Sequence, residues 1–158
     1  MTITPQNAQP TSVTNEVPAV ERVQLLGIGD ANSACGSLQA DLAPPINGVY
    51  DTLKTTEHYF SLIGADGFKL ISIQKLENTG KTDDALAELG VVLIQQDSTA
   101  QVHGFFLRDQ GLFIAKNVQL EFVKWDREHK TFAAKLNMAF SLNGTMHKLA
   151  NGHIDITY

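Results

Sequence analysis

Apolar and polar residues alternate along the last third of the chain, and two Asn-Gly dipeptides interrupt the alternation, Asn143-Gly144 and Asn151-Gly152. Asn-Gly between alternating segments is typical of a two-residue β-hairpin turn, because such a turn needs positive φ at both central residues. Each dipeptide therefore predicts a hairpin. Together they predict a three-stranded antiparallel meander at the C-terminus.

The two predicted turns bring the apolar side chains of this region to one face of the sheet. The first turn places Phe140 opposite His147, and the second places Lys148 opposite Asp155 as a cross-strand charge pair. A slip of one residue would turn a strand's whole apolar set toward solvent, so the agreement between the two turns supports this register. The apolar face is expected to contain Phe132, Ala134, Leu136, Met138, Phe140, Leu149, Ile154, Ile156 and Tyr158.

Shorter apolar segments predict strands through much of the remaining chain. They comprise residues 23–28, 59–63, 68–76, 91–95, 101–108, 112–116 and 118–125, and the four-residue loop 64–67 predicts a further hairpin. Residues 43–48, with two adjacent prolines, predict a loop. Residues 32–42 are ambiguous, because Ser33 suits a helix cap while Gly36 disfavours a helix interior.

One short helix is predicted over residues 83–89. Thr82 suits the N-cap, Asp83 and Asp84 complement the positive end of the helix dipole, and Gly90 suits the stop position. Many short strands with a turn signal roughly every 8 to 12 residues indicate an all-β domain. The predicted fold is an antiparallel β-sandwich or partly open β-barrel with this helix and the C-terminal meander.

Proline and aromatic content divides the chain into an arm and a domain. Residues 1–21 hold three of the five prolines and no aromatic side chain, so they are expected to form a flexible N-terminal arm. Residues 22–158 are expected to form a single β domain, since this length is enough to bury a core without disulfides or metals.

Charge and cysteine content exclude several classes of partner. Twelve Lys and Arg against 17 acidic residues give a net charge of −5 without a basic cluster, which argues against nucleic acid and anionic membranes. The single cysteine cannot form an internal disulfide, and no apolar stretch reaches the length of a membrane span. The N-terminus lacks the pattern of a secretory signal, so a cytoplasmic location is expected.

Few residues suggest chemistry. Cys35 lies among small residues and is a candidate thiol nucleophile, although a small, partly buried cysteine is the favoured interpretation. The five histidines have no metal-binding spacing, and no cofactor motif occurs, so neither a metal nor a cofactor is predicted. His147 falls on the apolar face, where a neutral, hydrogen-bonded histidine is expected, with a ligand or pH-sensing role as the alternative.

Aromatic residues supply the remaining candidate site. Phe105, Phe106 and Phe113 with Trp125 are candidates for lining a ligand cavity, although a β domain of this size needs such residues in its core. Because Phe105 and Phe106 are adjacent, their side chains are expected on opposite faces of a strand. One of the two should therefore mark a contact surface unless another element covers it.

These observations lead to three ranked hypotheses. The first is a non-enzymatic protein-interaction or self-assembly module, a homo-oligomer in which the arm packs on a neighbouring subunit. The alternative is a carrier that binds a small apolar ligand between the sheets or in a barrel mouth. An enzyme that uses Cys35 with a histidine is the least favoured, because no catalytic constellation is visible.

Overall fold

A computed structural model describes residues 16–17, 32–75, 88–96, 100–107 and 111–158. Its strands are β1 (Glu16–Val17), β2 (Asn32–Ile46), β3 (Tyr50–Thr55), β4 (Glu57–Ile63), β5 (Gly67–Lys75), β6 (Glu88–Gln96), β7 (Ala100–Leu107), β8 (Gly111–Ile114), β9 (Lys116–Asp126), β10 (Thr131–Leu142) and β11 (Thr145–Thr157). Within those ranges no helix has the length and apolar character needed to cross a membrane.

The strands form one antiparallel sheet, which confirms the mainly-β prediction. Their order is β1-β8-β7-β6-β5-β4-β2-β11-β10-β9, and β3 pairs with β2 off this path. In the part of the chain that the structure describes, no ladder joins the two ends of this order, so the sheet is not closed. The hairpin predicted around residues 64–67 is confirmed by the pairing of β4 with β5, and the strands predicted near 91–95, 101–108, 112–116 and 118–125 are confirmed as β6 to β9.

The helix predicted for residues 83–89 is not found in the described ranges. Residues 83–87 lie outside them, as does the strand predicted for residues 23–28. Leu89 and Gly90, predicted to end the helix, lie in β6, where Leu89 is fully buried and pairs with Gln74 and Leu107. The helix prediction is therefore wrong at Glu88 and Leu89, and Gly90 is not a helix stop, because pairing within β6 outweighs these local signals.

Strand β2 belongs to both halves of the sheet. Residues 32–34 pair with β4 in the first half (β1 and β4–β8), and residues 35–43 pair with β11 in the second half (β3 and β9–β11). The loop predicted for residues 43–48 is therefore wrong up to Ile46, which is buried and pairs with Tyr50. The two prolines fall where the β2–β3 register is interrupted, between Asp41 and Ile46, so no ladder hydrogen bond is lost there.

The C-terminal prediction is half confirmed. Asn143-Gly144 is the two-residue turn that joins β10 to β11, and Phe140 lies opposite His147 as predicted. Asn151-Gly152 is not a turn, because β11 continues through it and pairs with β10 along its whole length. The region is thus a long hairpin beside β2, and the predicted Lys148–Asp155 pair is wrong, since these residues lie opposite Ala139 and Ala133.

The predicted apolar face is nevertheless correct, because a bulge at Asn151 shifts the alternation of side chains in the same way as the predicted turn would. The register between β10 and β11 shifts at residues 150–151, where Asn151 has a φ of 55°. A β-bulge inserts one extra residue and so shifts the alternation by one position. A two-residue turn has the same effect on which face each residue occupies. Buried members of that face are Phe132, Ala134, Leu136, Met138, Phe140, Leu149, Ile154 and Ile156, and Tyr158 is partly buried.

The core lies between the facing surfaces of the two halves. Phe60 on β4 contacts Phe132 on β10 at 5.3 Å between ring centroids, and Phe105 on β7 stacks on Phe140 of β10 at 4.3 Å. The first half is also buried on its other face, where a smaller cluster is formed by Ile71, Ile73, Val92 and Leu112. Strands buried on both faces have nearly continuous apolar sequences, as β5 and β6 do.

Of the predicted N-terminal arm, only Glu16–Val17 is described. Its backbone forms β1 and pairs with Leu112 and Phe113 of β8 in the same chain. The other residues of the arm lie outside the described ranges. At this position the arm adds a strand to the end of the first half.

Candidate functional site

Six aromatic rings meet at the end of the second half next to the β9–β10 turn. Phe60 stacks on Tyr158 at 4.2 Å between centroids, and Phe68 lies 4.9 Å from Phe132. Trp125 contacts Phe132 edge-on at 5.6 Å. Such edge-on and offset contacts stabilise aromatic groups beyond the area that they bury. We call this group the aromatic cluster: Phe60, Phe68, Phe122, Trp125, Phe132 and Tyr158.

A bulge in β9 directs two of these rings into the cluster. Ala133 pairs with Lys124 and Ala134 pairs with Phe122, so Val123 is an extra residue on β9. The shift in alternation lets Phe122 and Trp125 point to the same face although three positions separate them. Their centroids lie 5.9 Å apart.

Polar groups fix the orientation of Trp125 and of the last residue. The Trp125 indole Nε1 donates a hydrogen bond to the Tyr158 hydroxyl at 3.2 Å. The backbone N of Tyr158 donates to the Lys130 carbonyl at 2.9 Å, and the Arg127 guanidinium lies 4.7 Å from the Trp125 ring centroid. The Arg–Trp contact is a cation–π interaction, worth about 0.5–1 kcal/mol at an exposed position.

The aromatic cluster reaches the surface along β9. Phe122 is 43% exposed and the adjacent Val123 is 60% exposed. Within the described residues β9 pairs only with β10, so its other edge presents backbone N–H and C=O groups. An open edge beside exposed apolar side chains can accept another extended strand. Trp, Tyr and Arg, which surround it, are the residue types that dominate binding energy at protein interfaces.

A cavity opens beside the same cluster, where the two halves of the sheet meet. Its volume is about 420 Å³, and its lining combines two aromatic rings with an aliphatic side chain and polar groups. The lining residues are Asn32, Phe60, Ser61, Leu62, Lys130 and Tyr158. This volume is within the range of small-molecule pockets.

The structure separates the residues that the sequence suggested as one site. Phe105 and His147 both stack on Phe140, at 4.3 and 5.4 Å between ring centroids. Trp125 belongs to the aromatic cluster instead. Phe105 and Phe113 are buried in the core, and the Phe106 side chain lies outside what the structure describes, while its backbone pairs with Gly90 and Leu112.

His147 has the environment that its position on the apolar face predicted. It is buried, and its Nδ1 donates a hydrogen bond to the Pro44 carbonyl at 2.7 Å. His153 is exposed on the opposite face. The prediction of a buried, hydrogen-bonded histidine at position 147 is therefore confirmed.

Cys35 is exposed, so the partial burial predicted for it is wrong. Ala34, the residue before it, packs against the core, and alternation along β2 therefore turns Cys35 outward. His58, whose backbone pairs with Ala34, directs both ring nitrogens to other groups. Its Nδ1 lies 3.0 Å from the Ser72 hydroxyl and its Nε2 lies 3.0 Å from the Gly36 carbonyl. Neither nitrogen is available to activate the thiol.

Burial lowers the pKa of His58 below its usual value, and the Gly36 carbonyl and Glu57 oppose this only in part. The ring is therefore a neutral bridge between β2, β4 and β5, in which Nε2–H donates to Gly36 and the Ser72 hydroxyl donates to Nδ1. In the described ranges, no group of three or more His, Cys, Asp or Glu side chains is arranged to hold a metal ion.

The sequence did not indicate Phe122 or Tyr158 as surface or site residues, whereas it did predict Arg127 as part of an exposed hairpin tip or polar contact site, residues 126–130. Glu121 faces solvent between Leu120 and Phe122, as its place in the alternation of β9 predicts. No local signal marks β9 as the last strand of the sheet, because this depends on which distant strands pair. No protein-family model, curated protein or solved structure matches this chain.

Proposed function

We propose that this chain is a non-enzymatic self-assembly module in which a second copy pairs with the open edge of β9. One observation carries the proposal, namely that the edge of the sheet and the exposed side chains of Phe122 and Val123 coincide on one strand. Pairing at an edge supplies main-chain hydrogen bonds, and the neighbouring side chains supply apolar contact.

The form of β9 supports this use. The strand has 11 residues and no proline, whereas natural edge strands that avoid association are often short or contain proline. Its residues 119–122 pair with residues 134–137 of β10 without interruption, which leaves a regular stretch between the two bulges. A regular stretch is the part of an edge that a further strand can match.

The charge of the chain supports association with a second copy. A net charge of −5 on 158 residues gives little repulsion between copies. Trp125 and Tyr158 border the exposed apolar residues and keep a polar atom near the surface, a combination that suits an interface.

The decisive experiment introduces a charged side chain on the edge strand β9 and compares it with the same substitution in the turn between β2 and β3. Val49 is 68% exposed in the turn between β2 and β3, so V49K is a matched control for V123K. In sedimentation velocity the native chain and V49K should form dimers or larger species. V123K should remain monomeric, because it removes an exposed apolar side chain next to Phe122 and adds a third lysine to an edge strand that already has Lys116 and Lys124. A native chain that is monomeric at all accessible concentrations, or two variants that behave alike, would overturn the proposal.

The arm is tested separately. Glu16–Val17 pairs with β8 of its own chain, and the proposal assigns the contact with the next subunit to residues before this point together with β9. Deletion of residues 1–21 should then weaken association. An unchanged molecular weight in light scattering removes the arm from the proposal, and V123K still decides whether β9 is the contact.

A second candidate function is a carrier for a small apolar ligand. The observation in its favour is the cavity of about 420 Å³ that Phe60, Leu62 and Tyr158 line where the two halves meet. This candidate treats the sheet as a partly open barrel rather than a sandwich, with the cavity as its mouth. Support comes from β8 and β9, which only Ala115 separates although they pair in different halves.

Native mass spectrometry of freshly purified protein tests the carrier. A bound ligand would add mass to the native chain, and L62W would remove the added mass by filling the cavity. The matched change L62A keeps the cavity open and should retain it. Protein that carries no added mass after mild purification counts against this function.

A further inference from the structure

A second cavity, of about 340 Å³, lies across β9, β10 and β11. It contains residues of β9 that precede those of the aromatic cluster. Its floor contains the small residues Ala139 and Ala150, and its walls carry amide side chains and one ammonium group. The polar wall residues are Asn117, Gln119, Asn137 and Lys148. These four polar residues are exposed to solvent, so the cavity opens on the outer face of the second half. The buried residues Met138 and Leu149 complete its lining.

Bulges on both sides of Asn137 shape this cavity. The β10–β9 register shifts between Asn137 and Ala139, and the β10–β11 register shifts between Leu136 and Met138. The extra residues include Asn117 and Asn151, with φ of 53° and 55°. Bulges at matching heights in neighbouring strands bend a sheet locally, and they are frequent beside binding sites.

Hydrogen bonds hold the wall of the cavity in place. The Asn137 Oδ1 accepts a hydrogen bond from the backbone N of Asn151 at 3.1 Å. Asn151 in turn donates from Nδ2 to the Asp41 carboxylate at 2.9 Å. The Asn137 side chain is therefore oriented by the bulge itself, and the nearest described carboxylate on β2 already has a donor.

One lysine lines the cavity, and a second lies near it on the same face of the sheet. Ala139 lies opposite Lys148 on β11 and opposite Lys116 on β9, so the three side chains share one face. Strands are spaced about 4.8 Å apart, which places the two lysine Cα atoms about 10 Å from each other, within reach of one small ligand. Neither lysine forms an ion pair with an acidic residue of the described ranges.

We propose that this cavity binds a small organic anion that carries hydroxyl groups beside its carboxylate, of the sugar-acid or hydroxy-acid class. The Lys148 ammonium group in the lining attracts a carboxylate, Lys116 on the same face adds positive charge nearby, and charge-assisted hydrogen bonds are the stronger kind. Each amide side chain offers both a donor and an acceptor, which is the combination that a hydroxyl group needs. A bare phosphate would use the lysines without the amides, and a neutral sugar would use the amides without the lysines.

Binding of chosen probes tests the proposal. Isothermal titration calorimetry with D-glucuronate, D-galacturonate and D-gluconate should detect binding of at least one, while D-glucose, D-galactose and inorganic phosphate should bind at least about tenfold more weakly. K148Q should weaken binding of the acid about tenfold, since it removes a charge and keeps an amide. K135Q is the matched control, because Lys135 lies on the same face of β10 but opposite Glu121 and His153.

Ligand binding at this cavity can be tested independently of self-assembly at β9. V123K should bind the sugar acid as the native chain does, since Val123 is not part of the cavity. The proposal is overturned if none of the three acids binds, if glucose or phosphate binds as well as the acids, or if K135Q weakens binding as much as K148Q.

Discussion

Leu136 and Gly152 lie directly opposite each other in the β10–β11 ladder, and a Cβ atom on Gly152 would lie 2.5 Å from the Leu136 carbonyl oxygen. The bulge at Ala150 and Asn151 produces this close approach of the two backbones. Glycine at this position therefore meets a steric requirement of the bulge, and not the positive φ of a hairpin turn. The same dipeptide at Asn143-Gly144 does turn the chain, with Gly144 at a φ of 83°.

The substitution G152A should destabilise the protein by about 1–3 kcal/mol, because the added methyl group forces the backbone of β10 or β11 to shift. G144A is the matched control. Apart from its chain neighbours, no atom of the described residues lies within 4 Å of a Cβ at Gly144, so its cost is the conformational strain of a positive φ alone, about 1 kcal/mol. Urea unfolding of both variants measures the difference, and a G152A variant as stable as the native chain would contradict the close approach.

The sequence predicted the C-terminal face and most of the strands, because these depend on local alternation. It did not distinguish the turn at Asn143-Gly144 from the bulge at Asn151-Gly152, since both shift the alternation by one residue. The difference lies in what pairs with residues 153–157. These residues pair with β10 on one side and β2 on the other, and β2 is more than 100 positions earlier in the chain.

Most of the candidate site could not be predicted from the sequence, because it also depends on which distant strands pair. Phe122 has the same local pattern as Leu120, yet Phe122 is 43% exposed while Leu120 is partly buried against the core, and no local signal separates the two. Trp125 was singled out with Phe105, yet these residues lie in different parts of the core. His147 could be predicted because its face and its partner Phe140 follow from one turn.

Replacement of His147 by phenylalanine separates its two contacts. The ring of H147F can still stack on Phe140, but the Pro44 carbonyl loses its hydrogen bond. We expect a loss of about 1–2 kcal/mol in the free energy of unfolding. The exposed H153F should change stability by less than about 0.5 kcal/mol, as surface substitutions usually do. Equal effects of the two variants would show that the hydrogen bond contributes nothing.

Cys35 should react with N-ethylmaleimide in the folded protein, because its side chain is exposed. Mass spectrometry should show one adduct without denaturant, formed at a rate similar to that in unfolded protein. The adduct and the C35A variant should each change the free energy of unfolding by less than about 0.5 kcal/mol. Labelling that requires denaturant would contradict the outward orientation of this residue on β2.

His58 should make stability depend on pH below neutrality. Burial lowers its pKa in the folded protein, while in the unfolded chain it keeps its usual value near 6.5. Between these two values the unfolded chain binds more protons, so the free energy of unfolding falls as pH decreases from about 6.5 toward the folded pKa. About one pH unit above 6.5 the ring is neutral in both states, and stability no longer depends on pH through this residue. Glu57 and Asp126 have lowered pKa values too, but their contributions are lost only below their usual values of 4.5 and 3.8.

The variant H58Q removes the titrating group, and H153Q makes the same change at an exposed histidine. Urea unfolding from about pH 8 to about pH 5 should show a decrease in stability below pH 6.5 for the native chain and for H153Q. H58Q should be less stable at about pH 8, since the bridge from Ser72 to the Gly36 carbonyl is disturbed, and its stability should depend less on pH. If H58Q retains the full pH dependence, another group is responsible and the neutral bridge at His58 is not the cause.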